Sequence, residues 1–137
     1  MSADENKAII RRFVETVWNG HDPSAVGDFH ADNFTLNGEP YTPSQFASGL
    51  VGFFEFCPDL RETIHAMVAE DDRVAYRWTM VGTDPRTGER QSWHGISMSR
   101  FADGKIVEEW YNNDQTDADI REIEEWLEER HGRPQAQ

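Results

Sequence analysis

Basic charge is scarce in this sequence. The 137-residue chain carries 13 Lys and Arg against 26 Asp and Glu, a formal net charge of -13, and only Lys7 and Lys105 are lysines. Sequence-independent nucleic-acid binding needs clustered cations that displace phosphate counterions, so that class of partner is excluded. An anionic membrane surface is disfavoured for the same reason. Cysteine is almost absent: Cys57 stands alone, which rules out an internal disulfide framework and any cysteine-based zinc site. The five histidines (21, 30, 65, 94, 131) are scattered without a paired ligand spacing, so no metal is expected. Nor is there an apolar run near the ~18 residues a membrane span needs, and Met1 to Glu15 lacks a signal peptide's apolar segment. The expectation is a soluble cytoplasmic protein.

What the chain has in quantity is aromatic surface, with five Trp, eight Phe and three Tyr. Acidic disordered chains lack such residues, and a chain of this length buries roughly two-thirds of its unfolded surface as one domain. A single domain over residues 1–137 is therefore expected, with an acidic helix and tail over 115–137. Ser2 and Glu5 fit a capping box, and Ile9, Ile10, Phe13, Val14, Val17 and Trp18 recur at helical spacing. Asn19-Gly20 reads as a left-handed helix stop. Asp22-Pro23 opens a short second helix carrying Val26 and Phe29. Phe34-Thr35-Leu36 reads as a short strand before an Asn37-Gly38 turn. Thr42-Pro43-Ser44 starts a third helix through Phe46, Leu50, Phe53 and Phe54, ending before Cys57-Pro58.

From there the period becomes two. Arg61 to Val68, Arg73 to Thr83, Arg90 to Phe101 and Lys105 to Asn113 read as strands joined by Asp71-Asp72, a loop at Asp84 to Gly88, and an Asp103-Gly104 hairpin turn. Thr116 to Arg130 is helical, with Ile120, Ile123, Trp126 and Leu127 on one side, and Gly132-Arg133-Pro134 ends it before a loose tail. Its seven acids against two arginines give a local net charge of -5, a solvated surface. Helices followed by an antiparallel meander indicate an α+β fold with helices on one sheet face. A twisted sheet curled around its helices leaves a cone open at one end, where a small-ligand pocket commonly forms.

The runs Pro58 to Arg61, Glu70 to Thr79 and Gly82-Thr83, then Gly95-Ile96-Ser97, Arg100 to Trp110 and Asp114, resemble the middle and closing hairpin of SnoaL-like polyketide cyclases. The first helix with its Trp18-Asn19-Gly20 ending is similar too, so the resemblance covers most of residues 6 to 115. It implies the nuclear transport factor 2-like fold, an α+β cone, as a homodimer packed through the sheet, acting without a cofactor on a hydrophobic polyketide- or terpenoid-like carbonyl compound. That fold also hosts isomerases, dehydratases, epoxide hydrolases and non-catalytic binding modules. In family members that close rings by aldol chemistry, the catalytic Asp falls on Tyr111 of this sequence and the partner His on Ser97.

The candidate catalytic residues are Asp114, Tyr111 and His94. A carboxylate at a cone mouth has its pKa raised by desolvation and becomes a usable base, so Asp114 would move the proton; its plainer reading is a strand-end or helix cap. Tyr111 and Ser97 would orient the ligand oxygen. In the register that sets Ser97 beside Tyr111, His94 and Asp114 share the opposite sheet face, and a bulge would reverse the two faces. Trp18, Phe34, Phe53, Tyr76, Trp78 and Trp93 would line the pocket or belong to the core. Arg77 beside a carboxylate would instead suit an epoxide hydrolase of the limonene type, but no second strand Asp accompanies it. A ligand-binding or dimerisation module that kept the cone without the catalysis is the alternative from another class.

Overall fold

The computed structural model describes residues 2–132. Arg133, Pro134 and the tail after them, which the sequence suggests is loose, lie outside the described residues. Ser2 accepts the Glu5 amide and Glu5 reaches back to the Ser2 amide, so both ends of the capping box close helix α1, Ala3–Phe13. The chain continues through a π-helical segment, Val14–Asn19, a 3-10 turn at Pro23–Ala25 and a short helix α2, Val26–Phe29. One detail of the first stop differs from expectation. Gly20 is right-handed with φ -81°, and His21 takes the left-handed turn at φ 50°. Glycine is required at 20 because a Cβ there would strike the Thr16 carbonyl, not because of a positive φ.

Strand β1 is longer than expected, His30–Leu36, and turns at Asn37-Gly38 into β2, Glu39–Tyr41. Both turn residues have positive φ, the geometry a tight hairpin demands. Thr42 and Gln45 form a second capping box at the start of helix α3, Pro43–Phe56. The meander follows as β3 (Arg61–Glu70), β4 (Arg73–Thr83), β5 (Arg90–Ala102) and β6 (Lys105–Asn113). Thr116 caps α4, Asp117–His131, through the same capping-box chemistry with Asp119.

The six strands form one sheet in the order β2-β1-β6-β5-β4-β3. All neighbours are antiparallel except β1 with β6, so the early strand enters the sheet alongside the last one. Burial alternates strictly along β4, where Val74, Tyr76, Trp78 and Met80 face inward. A bulge between Ile64 and Ala66 bends the edge strand β3, and another between Arg100 and Phe101 bends the central β5–β6 pair, as such insertions do. The sheet curls over α1, the π-helical segment, α2 and α3, and Ile10 and Phe13 of α1, Val17 of the π-helical segment and Val26 of α2 are almost fully buried. Removing any of these to Ala would cost on the order of 2–5 kcal/mol. The fold is the expected α+β cone, and what the helices leave unfilled is its mouth.

Candidate active site

Position on the sheet decides which side chains meet. Ser97 pairs with Tyr111 and Ser99 with Glu109, so Glu109 and Tyr111 share the inner face of β6. From the far edge of the sheet, β3 contributes Glu62 in phase with the inward Ile64. The curl brings these strands around one cavity of about 470 Å³, lined by Glu62, Tyr76, Trp78, Ser97, Glu109 and Tyr111 on the sheet side. The helices supply Trp18, Gly49, Leu50 and Phe53. Asp117 and Ile120 of α4 complete the wall.

Two carboxyls lie at the base of this cavity. Glu62 is 4% exposed, and among the described residues its carboxyl has no hydrogen-bond partner. Burial first, and the nearby Glu109 charge second, push the Glu62 pKa up to about 8, so at neutral pH it is mostly protonated and a hydrogen-bond donor. Its peptide is held firmly. Asn19, at the end of the π-helical segment, donates to the Glu62 carbonyl at 2.9 Å and accepts the Glu62 amide at 2.7 Å. That bidentate clamp satisfies backbone groups that β3, as an edge strand, would otherwise leave open.

Glu109 is supported from behind. Its Oε1 lies 2.9 Å from His30 Nε2, and His30 is buried among Phe13, Phe34 and Phe46. Asn37 accepts the Tyr111 amide at 2.8 Å, and its own amide donates to the Glu109 carbonyl at 2.9 Å. The β1–β2 turn therefore fixes the β6 backbone between its two inner-face residues, Glu109 and Tyr111. Burial, with the two glutamates adding, raises the Tyr76 hydroxyl pKa well above its usual range, and the same causes act on Tyr111 through Glu109 and Tyr41. Both phenols stay protonated at neutral pH and can donate. Trp78 donates its indole N–H to Ser97 at 2.8 Å and packs against Gly95, where any Cβ would collide with the ring.

Seven of the ten residues singled out in the sequence line the cavity: Tyr111, Ser97, Trp93, Trp78, Tyr76, Phe53 and Trp18. The other three do not. Phe34 is buried against His30, Tyr41 and Phe46 and belongs to the core. His94 and Asp114 are exposed and lie outside the cavity lining, because the observed Ser97–Tyr111 register sends them away from it. Asp114 accepts the His94 amide at 2.9 Å and donates its own amide to the His94 carbonyl at 3.1 Å, which closes the strand end. Arg77 is exposed on the outer face opposite Ile96, so no carboxylate–arginine set of the epoxide-hydrolase kind forms in the cavity.

Glu62, Glu109 and His30 were missed by reading the sequence. Their signals were present but faint: Glu62 shares the parity of Ile64, and Glu109 stands two residues before Tyr111. Among the described residues no cluster of His, Cys, Asp and Glu fit to hold a metal occurs, and no helix is long and apolar enough to cross a membrane.

Comparison with known proteins places this geometry. Residues 8–118 match the SnoaL-like polyketide cyclase family. No curated protein matches the chain. AclR from Streptomyces galilaeus, a hydroxylase by provisional description, superposes with a TM-score of 0.74 at 29% identity, covering 88% of this chain and 85% of that one. A SnoaL-like polyketide cyclase from Agrobacterium tumefaciens gives 0.74 at 25% identity over 89% and 98%. TsrD from Streptomyces laurentii gives 0.75 at 17% over 93% and 97%, a likeness of fold alone.

Proposed function

Because this chain belongs to the SnoaL-like polyketide cyclase family, we propose that its cavity performs acid/base catalysis, without a cofactor, on a hydrophobic carbonyl compound. The observation that carries this reading is the buried, unpartnered Glu62 carboxyl beside Glu109 in the cavity. Two carboxyls whose environments differ are the usual basis for dividing acid and base roles. Glu109, oriented by His30, takes a proton from the carbon next to the carbonyl. The neutral Glu62 carboxyl donates a hydrogen bond to the carbonyl oxygen as negative charge develops there, with the Tyr76 hydroxyl as a second donor. Forming that carbanion is the step that ring closure, isomerisation and many dehydrations share. The aromatic walls fit a flat, apolar ligand.

The test needs no knowledge of the natural substrate. In D2O, exchange of the α-protons of 2-tetralone, followed by NMR, should be accelerated by the protein. Glu62→Gln and Glu109→Gln should each lower that acceleration by about 100-fold, a typical worth of a general acid or base. Unchanged exchange in both variants would refute the assignment. No acceleration by the unaltered protein would favour the alternative of a binding module, an alternative that Tyr111 at the family's catalytic Asp position supports.

The reading extends to assembly and location. Val68, Ile96, Met98 and Trp110 are exposed on the outer sheet face, an apolar surface suited to a second copy of the chain. The homodimer through the sheet and a cytoplasmic location remain part of this proposal. Sedimentation of the protein and of Ile96→Glu, expected as dimer and monomer, checks the first.

A further inference from the structure

The charged groups of the cavity are of one sign. Among the described residues, Glu62, Glu109 and Asp117 line it, and no Lys, Arg or His does. Arginines are engaged outside it: Arg61 pairs with Glu15, Arg90 with Asp59, and Arg86 with Asp84 and Glu122, while Arg77 stands on the outer sheet face. His30 meets Glu109 from behind the wall. In a chain of net charge -13, a cleft lined this way draws cations in, and an anionic ligand would find no charged partner there.

The aromatic wall has the complementary chemistry. Trp18, Phe53 and Trp93 line the cavity and are only half-buried, unlike Tyr76 and Trp78, which are each 4% exposed. Phe53 stands between the other two, 6.3 Å from Trp18 at 83° and 5.9 Å from Trp93 at 68°. Rings so steeply inclined form a corner rather than a flat wall. Such a corner attracts an alkylammonium through the ring quadrupoles, Trp most strongly. Glu62 lies two strands from Trp93 along the row Glu62, Met80, Trp93, on the order of 10 Å away. It is 4% exposed with no partner for its carboxyl among the described residues, so the polar group that it would bond comes from a ligand.

We propose that the cavity takes a cationic ligand, a hydrophobic ketone carrying a protonated amine. Its ammonium lies against the corner of Trp18, Phe53 and Trp93, in the field of Asp117, and its carbonyl lies at the Glu62 end. The inference rests on the reading above that this cavity is the ligand site, and it adds the ligand's charge to that reading.

The experiment is an isothermal titration with probes that share the ring skeleton of 2-tetralone: protonated 2-aminotetralin, uncharged 2-tetralol and anionic tetralin-2-carboxylate. The amine should bind with a Kd about tenfold below that of the alcohol, the worth of a desolvated cation–π contact, and the carboxylate should bind weakest. Phe53→Leu and Trp93→Leu should each cut the preference for the amine over the alcohol about fivefold. Asp117→Asn should cut it about threefold, as an exposed charge does. Glu124→Gln removes an exposed acid of α4 that does not line the cavity, and should leave the preference unchanged. Circular dichroism melts confirm that each variant is folded. An amine bound no more tightly than the alcohol overturns the proposal, and so does a preference that survives both ring variants or falls equally in Asp117→Asn and Glu124→Gln. If 2-tetralone exchange proceeds as described while the amine shows no preference, the inference fails and the catalytic reading survives. An amine preference without exchange upholds the cation site and refutes the catalytic reading.

Discussion

Two acidic positions on the same sheet behave in opposite ways. At the cavity base, Glu62 is buried without a hydrogen-bond partner for its carboxyl, and its proton is held up to about pH 8 by burial and by Glu109. At the end of the last hairpin, Asp114 is exposed and spends its carboxylate on the His94 amide. The first costs the fold stability and the second adds to it. Local sequence does not separate them, since both are carboxylates in or beside a strand. Strand parity and the curl of the sheet do, by sending one inward and the other out.

The contrast can be broken first at the wall between the two regions. Gly95 neighbours His94 in sequence, yet Trp78 lies where its Cβ would be. Gly95→Ala should displace Trp78 from Ser97 and destabilise the fold by about 3 kcal/mol, the upper range for overpacking. A denaturant melt measures this, and indole fluorescence reports the displaced ring.

Next in size is Glu62→Gln. The Glu62 pKa is raised on folding from 4.5 to about 8, so the folded state holds a proton that the unfolded state releases over that window. Stability from this group is intact below about pH 4.5 and is lost as pH rises towards 8. The variant should therefore melt about 5 °C higher than the unaltered protein at pH 8, with the gain shrinking towards pH 4. Asn19→Ala, which leaves the Glu62 peptide groups unpaired, should cost about 1–2 kcal/mol. Smallest is Asp114→Asn, with a loss of no more than about 1 kcal/mol and 2-tetralone exchange within about twofold. A large loss of exchange in that variant would move the chemistry back to the strand end.

Much of the fold was legible because its signals are local. Capping boxes at Ser2 and Thr42, Asn-Gly and Asp-Gly turns, and clean alternation in β4 all act within a few residues of each other. The start of β1 was not legible. His30–Asn33 has no apolar alternation, and it joins the sheet through parallel pairing with β6, over 70 residues away. The site was half legible. Residues on the inner face of β5 and β6 could be found from the hairpin register, and Ser97 and Tyr111 do line the cavity. Glu62 and His30 could not. His30 meets Glu109 through the long-range pairing of β1 with β6, and Glu62 shares the cavity with Glu109 through the curl of the sheet, which no short-range pattern encodes.

The central claim is that the cavity base holds a neutral carboxylic acid beside a second carboxyl. Carbon-13 NMR of glutamate carboxyls, with Glu62 assigned from the loss of its signal in Glu62→Gln, reads this directly. Glu62 should titrate near pH 8 and move to lower pH in Glu109→Gln. A Glu62 carboxyl that titrates near 4.5 with or without Glu109 would contradict the account.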